Sequence, residues 1–167
     1  MAKKSINPDA MAPPVGPYSH VVSAPAGGRI VFCAGAVALD ADGNVVGKGD
    51  IVAQTRQVHE NIKRCLAAAG GTFADVCKVT VFLKNVADRE KVNTVRKEYF
   101  GAHRPASTLI EISRLVRDDL LIEIEATAVL PNGAITGRAE PRASRAGHLR
   151  LKPASRTPRQ QNKRRRR

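Results

Sequence analysis

Two stretches of helical apolar periodicity bracket one stretch of strict alternation, and this change of period is what most constrains the fold. From about 51 to 69, Val52, Val58, Ile62, Cys65, Leu66 and Ala69 recur at intervals close to 3.6 and form one apolar stripe. Asp50 stands where a carboxylate can cap the helix. Gly70-Gly71 ends it, because glycine adopts the left-handed conformation cheaply. Cys77 to Leu83 then alternates: Val79, Val81 and Leu83 share one face, and Lys78, Thr80 and Phe82 the other. Asp88 opens a second helix to about Phe100, with Val92, Val95 and Tyr99 inward. Strands are expected near 106–112 and 120–129, and two earlier ones at 20–25 and 29–34, joined through Ala26-Gly27-Gly28.

The order β-β-(β)-α-β-α-β-β predicts an α+β class, a mixed sheet with two helices packed on one face. The other face keeps apolar side chains, Phe82 first, with Leu121 and Val129 as further candidates. An apolar face left open needs a partner, so the pattern also predicts oligomerisation.

The formal net charge of +13 is unevenly spread. Residues 1–130 hold 16 Lys/Arg and 14 Asp/Glu, a net of +2, whereas 131–167 hold 12 Lys/Arg and one acid, Glu140. Pro131-Asn132-Gly133 marks the expected end of a domain spanning 1–132. Beyond it, a chain of Pro, Gly, Ser and Arg cannot bury enough apolar area to offset the entropy of ordering, so 133–167 is expected to be a disordered basic tail. Any contact with nucleic acid would come from this tail, without sequence preference and steeply weakened by salt.

No apolar run approaches the ~20 residues that cross a membrane. Met1-Ala2-Lys3-Lys4-Ser5 has no apolar core after it, so no secretory signal is read there. Cys33, Cys65 and Cys77 are spaced by 32 and 12 residues, which matches no zinc or redox motif; they read as buried or half-buried thiols. The default location is cytoplasmic. His20, His59, His103 and His148 have no metal-ligand spacing, and Asp40 to Asn44 is a turn rather than a calcium loop, so no metal and no cofactor is expected.

Glu123 and Glu125 lie two apart on a strand, on one face, roughly 7 Å between Cα atoms. Such a pair can divide acid and base roles, bind a cation, or face solvent. Arg104 precedes a proline in a loop at a strand end, where functional groups collect. Tyr18 follows Gly16-Pro17, and Glu111 is within reach of Arg114 as an ion pair. Ser107 has no neighbouring histidine and is no triad nucleophile.

Several separated segments carry a resemblance: Pro14-Val15-Gly16-Pro17-Tyr18-Ser19, Gln54-Thr55-Arg56-Gln57 with Asn61-Ile62, Val79 to Leu83, Val92-Asn93, and Arg104 through Ala128. Over about residues 11–130 they are similar to the Rid family of reactive intermediate deaminases, also known as YjgF-like or L-PSP endoribonuclease-like proteins. The resemblance implies a chorismate-mutase-like fold and a homotrimer. Its sheets would form a central barrel, with small-molecule clefts between subunits. It implies cofactor-free hydrolysis of imines and enamines to a carbonyl compound and ammonia.

Position by position, the resemblance implies that Glu123 activates water, that Tyr18 lines the cleft, and that Asn93 and Gly35 sit at ligand-adjacent positions. Three positions depart from the family. Ala34 stands where many members have a ligand-contacting serine, and Leu109 where they have a small or cysteine side chain. Ser107 stands where the imine hydrolases have a carboxylate-gripping arginine. A hydroxyl brings no charge, which weakens carboxylate binding by roughly 2–5 kcal/mol by analogy with truncated ion pairs. Arg104, three positions upstream, is a candidate substitute. The expectation is a deaminase of an unusual substrate; the alternative is a non-catalytic trimeric module for binding small molecules or proteins.

Overall fold

The computed structural model describes residues 3–25 and 27–132; the expectation for the tail falls outside them. Six strands and two helices follow in order: β1 (Lys4–Ile6), β2 (Val21–Ser23), β3 (Arg29–Val37), α1 (Ile51–Ala68), β4 (Val76–Leu83), α2 (Arg89–Phe100), β5 (Ala106–Glu111) and β6 (Ile122–Leu130). The main sheet has the spatial order β3-β6-β4-β5. β6 is antiparallel to both neighbours, and β4 and β5 are parallel, so the sheet is mixed as expected. β1, unforeseen from sequence, pairs with β2 in a separate two-stranded ribbon.

The α1 boundaries follow local chemistry. Asp50 accepts hydrogen bonds from the Val52 and Ala53 amides. After the helix, Gly70 takes a φ of +80°, and a Cβ on Gly71 would meet the Leu130 side chain at 3.0 Å, so the two glycines have different reasons. The α2 start departs from expectation. Asp88 makes no capping hydrogen bond; a single 3-10 turn at Val86–Asp88, capped by Asn85, leads into the helix instead. Glu111 accepts from the Val86 amide at 2.8 Å, and no ion pair to Arg114 forms among the described residues.

The helices cover one face only. Val58, Ile62 and Leu66 pack on Val79, Val81, Leu83, Ile122, Ile124, Ala126 and Ala128, all within 3% of full burial. Cys33 is buried and Cys77 half-buried, but Cys65 is exposed, so the α1 stripe turns toward Ile51, Gln54, Thr55 and His59. The opposite face is open. Phe32 is 78% exposed and Ile30 58%, so the largest uncovered side chains are on β3, while Phe82 and Val129 are half-buried and Leu121 packs against the core. Among the described residues, no helix is long and apolar enough to cross a membrane.

Candidate functional site

Strand register decides which side each candidate faces. Ser107 pairs with Val79 and Leu109 with Val81, so both point toward the helices. Leu109 is half-buried against the core. α2 lies over this edge and presents Asn93 and Arg96, one turn apart, at 5% and 2% exposure. Arg96 Nη2 donates to Ser107 Oγ at 3.0 Å, and Nη1 donates to Asn93 Oδ1 at 3.3 Å. The segment after Gly16 closes the group. Ser19 donates its amide to the Pro105 carbonyl at 3.2 Å and bridges Ala106. A Cβ on Gly16 would lie 3.4 Å from Asn93 Nδ2. Tyr18, half-buried, stands edge-on to His20 with ring centroids 5.8 Å apart. Tyr18, Asn93 and Ser107 are thus brought together by the start of β5, one face of α2 and an N-terminal turn.

Glu123 belongs elsewhere. It pairs with Phe82 on β4 and Val37 on β3, which puts it on the open sheet face. The β3 bulge between Cys33 and Ala36 carries Ala34 and Gly35, both exposed. An added Cβ at Gly35 would fall 1.8 Å from Glu123 Oε1, so the carboxylate rests on backbone that only glycine leaves open. The same bulge borders a depression of about 660 Å³ lined also by Gln57, Asn61, Arg64 and Cys65.

The expected residues therefore fall into two groups on opposite faces of the sheet. Two strand spacings and three residues along the strands separate Ser107 from Glu123, about 14 Å between Cα atoms. No small ligand touches both within one chain. Arg104 joins neither group: it is exposed, and its guanidinium makes no hydrogen bond among the described residues.

Two buried polar groups were missed from sequence. Arg96 has no carboxylate within 4.0 Å among the described residues, its Nε has no partner, and burial lowers its pKa to about 10. His59 is fully buried on α1, stacked on Tyr99 at 4.8 Å, with Nδ1 2.7 Å from the Thr55 carbonyl. Burial lowers its pKa to about 4. A signal existed for both. Arg96 is four residues from Val92 and from Phe100, inside the apolar stripe of α2, and His59 is adjacent to Val58 in that of α1. Among the described residues, no three His, Cys, Asp or Glu side chains gather to hold a metal ion.

Residues 9–130 match the family described as Endoribonuclease L-PSP. A RutC family protein of Pyrococcus horikoshii is 50% identical over 115 residues, 69% of this chain and 88% of that protein. The 3-aminoacrylate deaminase RutC of Acinetobacter baylyi is 41% identical over 128 residues, 77% of this chain and 98% of that one. Among solved structures, the Rid family protein YyfB of Yersinia pestis, itself of unknown function, is similar with a TM-score of 0.72. It is 40% identical, covering 78% of this chain and 100% of that one.

Proposed function

The chain belongs to the Rid or L-PSP endoribonuclease-like family, and on that premise we propose that it is a hydrolytic deaminase of a small reactive imine or enamine. The observation that carries the reading is the Glu123 carboxylate resting on the Gly35 backbone, at an exposed bulge of β3. The 3-aminoacrylate deaminase of Acinetobacter baylyi, 41% identical, supports the reaction class. An enamine first tautomerises to the imine. Glu123 takes a proton from water as its oxygen adds to the C=N carbon, and the proton passes to nitrogen. The carbinolamine then collapses: Glu123 carries the hydroxyl proton to the amino nitrogen, C=O forms, the C–N bond breaks and ammonia leaves. Tyr18 and Asn93 line the other wall.

In this reading the protein is a homotrimer. The open faces with Phe32 and Ile30 close on one another as a barrel, and the Glu123 of one copy faces the Ser107 of the next. That assembly accounts for two half-sites about 14 Å apart in a single chain. A second reading, a binding module without catalysis, is favoured by Ser107 in place of a charged side chain.

Ammonia release from freshly generated 2-aminoacrylate and larger 2-imino acids decides between them. Activity in wild type that is lost in Glu123→Ala establishes the hydrolase. No release by wild type, with gain in Ser107→Arg, removes these acids as substrates and leaves a different substrate or the binding module.

A further inference from the structure

Arg96 is a buried cation that the described residues leave unanswered. It is 2% exposed, it meets two neutral oxygens, and its Nε meets nothing. Withdrawing a guanidinium from water without a counter-charge costs far more than two neutral hydrogen bonds return, whereas an apolar side chain of similar bulk would sit there freely. A local rule broken in this way, with no compensation among the described residues, points to a functional site.

Its contact with Ser107 has a direction. A guanidinium only donates, so Ser107 Oγ accepts from Nη2, and the hydroxyl hydrogen is left free to point away from Arg96. Ser107 is half-buried, beside Asn93 and the turn that carries Tyr18. We propose that Arg96 and Ser107 form one anion seat, in which the Ser107 hydroxyl donates to a ligand carboxylate and the Arg96 guanidinium behind it supplies the charge. The seat then takes small carboxylates although its strand position is neutral, and Arg96 is a positioning residue acting through Ser107. This deepens the proposed function and rests on reading the Tyr18, Asn93 and Ser107 cluster as a ligand wall. Arg104, pointing to solvent, has no part in it.

The magnitude follows from distance. Nη2 is 3.0 Å from Oγ, and a carboxylate oxygen accepting from the hydroxyl lies about 2.7 Å further. Charges about 5 Å apart attract by roughly 10- to 100-fold in affinity, depending on how far the site is screened.

The test compares binding of pyruvate with that of its neutral amide, pyruvamide, to the full-length protein by calorimetry at low salt. Wild type is expected to prefer the anion by about tenfold or more. Arg96→Met should bind both equally without a lower Tm, since it removes an uncompensated buried charge. Arg96→Lys should restore part of the preference, and Ser107→Ala, which removes the donor but leaves the charge, should reduce it severalfold. Equal binding by wild type, or a wild-type preference in folded Arg96→Met, overturns the proposal. Should Arg96→Met fail to fold, Ser107→Ala decides, and a preference undiminished there overturns it equally. Ammonia release is scored separately. Discrimination that tracks Arg96 in a protein without ammonia release removes the tested acids as substrates and keeps the seat; release without discrimination keeps the deaminase and overturns the seat.

Discussion

Acidification should destabilise this protein through His59, by an amount the structure sets. The imidazole is buried among Phe73, Tyr99 and Phe100, with Nδ1 on the Thr55 carbonyl and Nε2 unpartnered among the described residues. Burial is the main cause of its lowered pKa, and the Arg96 charge adds to it; the Thr55 hydrogen bond, Glu60 and Glu98 oppose it. The folded value is about 4 against 6.5 in the unfolded chain. The unfolded state therefore binds the proton first as pH falls, and the stability present above pH 6.5 is lost as pH falls toward 4. From pH 7.5 to pH 5.0 the loss is about 2 kcal/mol, and its limit below both values is about 3 kcal/mol. Urea unfolding of wild type and His59→Leu at the two pH values isolates the contribution. The variant should lose about 2 kcal/mol less than wild type over this interval. Equal losses would mean that His59 is protonated in the folded state, and the assignment of a neutral buried imidazole would be wrong.

Gly35→Ala should displace the Glu123 carboxylate, which an added Cβ would approach to 1.8 Å. The side chain can swing aside, so stability should change by less than about 1 kcal/mol while ammonia release falls at least about tenfold; undiminished release would remove Glu123 from the reaction. Leu66→Ala, at a fully buried position of α1 over the sheet, should cost about 2–5 kcal/mol in denaturant unfolding, and a loss below about 1 kcal/mol would show that the helix packs elsewhere. For the basic tail, binding of a single-stranded oligonucleotide by the full chain should weaken with salt at a log–log slope of about −0.7 per phosphate contact. A chain ending at Asn132 should not bind; equal binding by both would place the contact in the domain.

Local chemistry wrote much of the fold into the sequence. Asp50, the α1 stripe and Gly70 fix a helix because capping, periodicity and a left-handed stop act over a few neighbouring residues. The alternation of β4, with Val79, Val81 and Leu83 buried, likewise reports which face meets the core. Asp88 shows the limit of such reasoning. The residue type suits a cap, yet the chain enters α2 from a 3-10 turn that Asn85 holds, and Asp88 meets Lys91 instead. The β1–β2 ribbon has no sequence signature, because three-residue strands with mostly exposed side chains leave no periodic signal.

What the sequence determined by itself is the set of amphipathic elements and the chemistry each one carries: Glu123 on an alternating strand, Ser107 at the start of another, and basic charge concentrated in the tail. Only the tertiary structure decided how those chemistries meet. The parallel register of β4 with β5 turns Ser107 toward the helices, and the antiparallel register of β6 turns Glu123 away from them. Arg96 gained its place beside Ser107 because α2 packs back over the edge of the sheet. Periodicity tells each element which side to bury; the neighbour it buries against is set by pairings between distant parts of the chain, which no local pattern encodes.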